Sequence, residues 1–132
     1  MKALYDEIVR RFPEVRAKTR DGDEDLPYLV MGYIAEWLCD AHPQDITPHV
    51  LRRIQEFARW CEEQASGATA SDDVLTILVV AFYEKLFSRE HTRAILPQII
   101  AKADFEQNAD YLKSWVGEEN YAKASRYYTQ TA

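Results

Sequence analysis

The stretch VLTILVVAFY, Val74 to Tyr83, decides the fold. Its β-branched residues Val74, Thr76, Ile77, Val79 and Val80 would suit a buried strand. Three features argue instead for a helix. Ser71 with Asp72 and Asp73 places a cap and carboxylates at the positive end of a helix dipole. The apolar pattern also continues to Leu86 and Phe87, and no other run offers a partner strand. The spacing therefore predicts a helix over 72–87, apolar all round and surrounded by the others as the central element. The run is about half of the roughly 20 residues needed to cross a bilayer.

Working outward, the same 3.6-residue periodicity recurs. Ser88 is placed to cap a helix over 89–103, with Ile95, Leu96, Ile99 and Ile100 inward and Pro97 kinking or splitting it. Asp104 with Gln107 reads as a capping box before a helix over 105–116 that carries Phe105, Ala109, Leu112 and Val116 and stops at Gly117. A last helix covers 118–128, and 129–132 is expected to fray. On the other side, Thr47-Pro48 is an N-cap with proline at the first helical position, opening a helix over 48–64. Ser66-Gly67 is its stop signal. Asp25 is placed to cap a helix over 26–41 with the stripe Leu26, Val30, Ile34, Trp37 and Ala41. Leu4, Ile8 and Phe12 mark a first helix over 2–12, interrupted by Pro13.

The expectation is one all-α domain spanning 1–132, with six to seven helices in a compact bundle or a short stack of antiparallel pairs. No internal repeat is visible. The 132 residues suffice for one core, and 47% apolar with 29% charged is the balance of an ordinary globular chain. The charged N-terminus shows no secretory signal, so a cytoplasmic protein with Cys39 and Cys61 as free thiols is expected. The net charge of −6 disfavours nucleic acid and suits a basic partner.

Motifs for chemistry are scarce. Asp21, Asp23 and Asp25 occupy the first, third and fifth places of a calcium loop, but Leu26 and Gly32 stand where the turn glycine and the closing glutamate belong. Cys39, His42, His49 and Cys61 match no zinc-module spacing. There is no Glu-x-x-His, no phosphate-cradling loop and no nucleophile elbow. No catalytic residue, metal or cofactor is expected.

The candidate binding residues are aromatic and cationic. A 100° step along the third helix puts Arg53 and Trp60 together at the edge of its buried stripe, and Trp and Arg are favoured anchors. The competing account packs Trp60 under a neighbouring helix with Arg53 snorkelling over it. Tyr111, Tyr121, Tyr127 and Tyr128 crowd the last segment, either as a face for a protein partner or a second copy of the chain, or as rings docked into the core.

The pieces YDEIVRRFPEVR, DLPYLVMGYIAEWL and DDVLTILVVAFYEKL resemble small all-helical bacterial proteins of unknown function, some of them similar to immunity proteins of toxin systems. That resemblance implies a protein-binding module, an inhibitor of the immunity or antitoxin type. The alternative is a helical protein or enzyme that holds a small molecule or metal between helices, with Cys39, Cys61, His42, His49 or the buried tyrosines as polar contacts.

Overall fold

The computed structural model describes residues 2–70 and 72–130, and every regular element among them is helical. The helices are α1 (Lys2–Arg11), α2 (Pro13–Arg16), α3 (Pro27–Asp40) and α4 (Pro48–Glu62). α5 joins Val74–Leu78, a π turn at Val79–Tyr83, and Glu84–Leu86 without a break. There follow α6 (Glu90–Ile95), α7 (Lys102–Gln107), α8 (Ala109–Val116) and α9 (Glu118–Gln130). Val74 to Tyr83 is helix, as its context predicts, and no described residue forms a strand.

Among the described residues nine helices stand where six to seven were expected, for two local reasons. Pro13 does not only end α1. Its fixed φ opens a further turn, and that turn buries Val15 completely. The expected helix over 105–116 breaks at Asn108, whose side-chain amide donates to the Asp104 carbonyl at 2.7 Å and so competes with the helical ladder. Pro97 splits the helix before it, leaving a 3₁₀ turn at Leu96–Gln98.

Capping follows the sequence at some ends only. Thr47 accepts from the Val50 N–H at 3.3 Å with Pro48 at the first helical position. Asp73, two residues after the expected cap Ser71, accepts from the Thr76 N–H at 3.1 Å and the helix starts at Val74. Ser71 itself lies outside the described residues. Asp25 does not cap α3, whose N-cap is Leu26 with no side-chain bond. The ordered carboxylate of that loop is Asp23, which is buried and accepts from the Arg20 N–H at 2.8 Å and the Tyr33 hydroxyl at 3.3 Å. Ser88 and the Asp104/Gln107 box also fail as caps. Arg89 precedes α6, α7 starts ahead of Asp104 at Lys102, and neither end has a side-chain cap. Gly67 lies beyond the end of α4, where a Cβ would meet the Asp72 carbonyl carbon at 2.4 Å, so close backbone approach is what demands glycine there.

α5 packs along α3, starts against α4 and ends against α8. Ile77, Leu78, Phe82, Leu86 and Phe87 are completely buried. The helix is not enclosed on every side, however, because Leu75 is 44% exposed. Two aromatic clusters flank this axis. Phe12, Trp37, Phe57 and Trp60 join α1, α3 and α4, whereas Phe87, Phe105, Tyr121 and Tyr128 form a stack that docks α9. Among the described residues no helix is long and apolar enough to cross a membrane.

Candidate functional site

The expected anchors turn out to sit in different places. Arg53 is bound inside the fold. Its two Nη groups reach both Glu14 carboxylate oxygens at 2.7 and 2.6 Å, and Nη2 also donates to the Arg11 carbonyl at 2.8 Å. The guanidinium lies 5.3 Å from the Phe12 ring centroid and 5.7 Å from that of Trp37. The ion pair holds the Glu14 carboxyl below the usual carboxylate range. Trp60 is half-buried and stacks on Phe57 at 6.2 Å.

Two of the expected tyrosines are core residues. Tyr121 and Tyr128 are buried and stack on Phe105 with centroids 4.6 and 4.0 Å away. Their hydroxyls donate to backbone carbonyls, Tyr121 to Phe105 and Tyr128 to Leu96 and Ile100. Together with Ala124 they form the inward stripe of α9, so the docked-ring account describes them and the surface account does not. Tyr127 is half-buried and its hydroxyl donates to Glu90.

The cysteines and histidines are dispersed in role. Cys61 is fully buried, and burial pushes its thiol up to about 12. Cys39 is half-buried, with Sγ 3.7 Å from the Lys85 carbonyl oxygen. His42 serves its own turn by accepting from the Gln44 N–H at 3.2 Å. Among the described residues no three His, Cys, Asp or Glu gather as a metal-binding group would require.

What the fold leaves open is a groove of about 530 Å³ beside the central helix. Leu75, Val79 and Tyr83 of α5 form one wall, Ile99 and Ile100 a second, and Tyr111 and Leu112 of α8 a third. The π turn aligns the first wall. A row at i, i+4 drifts about 40° per step in a regular helix, and the wider i→i+5 turn from Val79 offsets that drift, keeping the three side chains on one face.

The groove is apolar inside and acidic at its edge, where Glu62 and Asp104 lie. Tyr83 ionises well above the ordinary tyrosine range because it is buried and faces the Glu62 charge. Tyr111 donates to the Glu84 carboxylate at 3.1 Å; burial and that neighbouring charge push its phenol up to about 12. Partial burial raises the Glu84 carboxyl in turn, against the opposing effect of the Tyr111 hydrogen bond.

One turn beyond Tyr111, Trp115 is 61% exposed, the most exposed large apolar side chain among the described residues, and its ring centroid is 6.2 Å from that of Tyr111. Sequence reasoning passed over this residue. The signal was there: Tyr111 and Trp115 are four apart on a helix whose inward positions are Leu112 and Val116, so the pair stands off the stripe. Leu75, Tyr111 and Trp115 are large and exposed, as are Leu26 and Leu29 away from the groove lining. Comparison of the chain with protein-family models, curated proteins and solved structures finds no match.

Proposed function

We propose that this protein is a protein-binding module whose binding face is the groove between α5 and α8, and that its partner is a basic protein presenting an amphipathic helix. The observation that carries this reading is an apolar groove with Leu75 and Tyr111 exposed in its walls and carboxylates at its edge, continued one turn beyond Tyr111 by the exposed Trp115. An amphipathic helix enters such a groove with apolar side chains at i, i+3 or i+4, and i+7. Lysines and arginines flanking that stripe would face Glu62 and Asp104, as electrostatic complementarity between partners requires. An immunity or antitoxin-type inhibitor is one protein of this kind, and the net charge of −6 suits its basic partner. The expectation that Arg53 anchors a partner is replaced here, because that side chain is held by Glu14, Arg11 and the Phe12 and Trp37 rings.

The test begins with capture from source-cell lysate on wild type and on the double variant Leu75→Ser/Trp115→Ala. The protein that only wild type retains is identified, and a peptide of its basic amphipathic segment is titrated. Binding of that peptide, weakened by about 2 kcal/mol or more by Trp115→Ala, is the expected result. Equal retention by wild type and double variant would remove the groove from the account.

A second reading rests on the size of the groove. About 530 Å³ falls within the range of small-molecule sites, and Tyr83 places a phenol among apolar walls. An apolar cation is the ligand this chemistry would suit. It would raise the melting temperature of wild type and not of Tyr83→Phe/Leu75→Ser.

A further inference from the structure

Away from the groove, the chain has a second concavity of opposite charge. A cleft of about 260 Å³ is lined by Glu90 and Arg93 of α6 and by Lys123, Arg126 and Tyr127 of α9. Three cations thus face one carboxylate in a chain whose acidic residues outnumber its basic ones, 22 to 16.

The cations differ in how they are held. Arg93 is 7% exposed, an unusual place for a guanidinium. It donates to the Phe87 carbonyl at 2.9 Å and to Glu90 at 3.0 Å, and its buried Nε has no hydrogen-bond partner among the described residues. A buried charged donor without an acceptor is unfavourable. The Glu90 charge is already engaged on both oxygens, by Arg93 and by the Tyr127 hydroxyl. Lys123 has a loose partner, Glu119, at 3.2 Å with the glutamate side chain 83% exposed. Arg126, exposed, makes no side-chain ion pair among the described residues. The cleft therefore has Arg126 as a cation without an ion pair among the described residues, beside a Lys123 whose partner is largely exposed.

We propose that this cleft binds a compact phosphate-class dianion, a phosphomonoester or a diphosphate. Arg93 forms its fixed floor, and Lys123 and Arg126 close over the ligand. Guanidinium groups match phosphate oxygens in planar, charge-assisted pairs, which favours this class over a lone halide or a large apolar acid. The volume lies below the roughly 300 Å³ at which sites for drug-sized ligands begin, so the anion is small. This site is independent of the groove and shares no lining residue with it.

The experiment titrates pyrophosphate, inorganic phosphate and glycerol phosphate into the protein at low and moderate salt, followed by calorimetry and backbone amide shifts. Saturable one-to-one binding of at least one of them is expected, with shifts confined to 88–94 and 120–128. Whichever of the diphosphate and the monoester binds more tightly identifies the source of the group. Arg126→Gln and Lys123→Gln, both at accessible positions that leave folding intact, should each weaken that binding about tenfold. Lys102→Gln removes the same charge elsewhere and should leave it unchanged. Absence of saturable binding, or equal weakening by Lys102→Gln, overturns the proposal.

Discussion

The Arg53 clamp and the groove are built from the same residue types and put them to opposite uses. At the clamp, Phe12, Trp37, Phe57 and Trp60 meet one another, and Arg53 meets Glu14 in a bidentate pair with both side chains at most about a third exposed, 19% and 34%. Every strong interaction there closes within the chain. At the groove, Leu75 and Tyr111 are exposed, Trp115 is exposed one turn beyond, and the Tyr111 contact with Glu84 joins a phenol pushed up to a carboxyl that is also raised. The lesson is that aromatic and arginine content does not mark a binding face. In the proposed reading, what marks it is an exposed large side chain beside an apolar groove.

The two regions should therefore respond differently to substitution. The largest effect is expected from Phe57→Ala in the clamp, where the ring is completely buried between Phe12 and Trp60. Loss of about 3 to 5 kcal/mol is expected in urea unfolding, a large part of the stability of a domain this size. Arg53→Ala should lose about 2 kcal/mol, since it leaves Glu14 and the Arg11 carbonyl without their donor. A double-mutant cycle with Glu14→Gln isolates the pair, and additivity of the two losses would show that the clamp carries no coupling.

These expectations were only partly legible in the sequence, and the boundary is physical. Signals confined to one turn were readable: Thr47-Pro48 at the start of α4, Pro97 splitting a helix, and a cap near Asp73 arguing helix for a β-branched run. Where two local candidates competed, tertiary packing chose. Asp23 and not Asp25 organised the loop before α3, because Tyr33 lies within its reach. Partners distant along the chain left no trace. Glu14 and Arg53 are 39 residues apart, and a helical wheel of α4 alone cannot show that Arg53 is claimed. The aromatic groups of α9 were ambiguous for the same reason, since Phe105 and the Ile100 carbonyl that receive them belong to other elements. Trp115 is legible from its position, four residues after Tyr111 and off the Leu112 and Val116 stripe.

The smaller effects concern pH. The Glu14 carboxyl is lower in the fold than its ordinary 4.5, so its contribution is complete above that value and is lost as pH falls below it. An acid unfolding profile should show this loss in wild type and a shallower one in Glu14→Gln. Tyr111 shifts the other way. Its phenol rises from 10 to about 12, so the stability it contributes is intact below pH 10 and is lost as pH climbs toward 12. Tyr111→Phe should remove that alkaline component, seen in phenolate absorbance, and by taking away the hydrogen bond to Glu84 should raise that carboxyl further. The smallest effect on stability is expected from Leu75→Ser and Trp115→Ala, each within about 0.5 kcal/mol of wild type.

The most direct measurement sets Trp115→Ala beside Arg53→Ala, each followed by urea unfolding and by titration with the basic amphipathic peptide from the captured partner. The account predicts a crossing: Trp115→Ala keeps its unfolding midpoint and loses binding, whereas Arg53→Ala loses stability and, at a temperature where it remains folded, binds as wild type does. Binding lost by Arg53→Ala and kept by Trp115→Ala, in folded protein, would contradict it and return the binding face to α4.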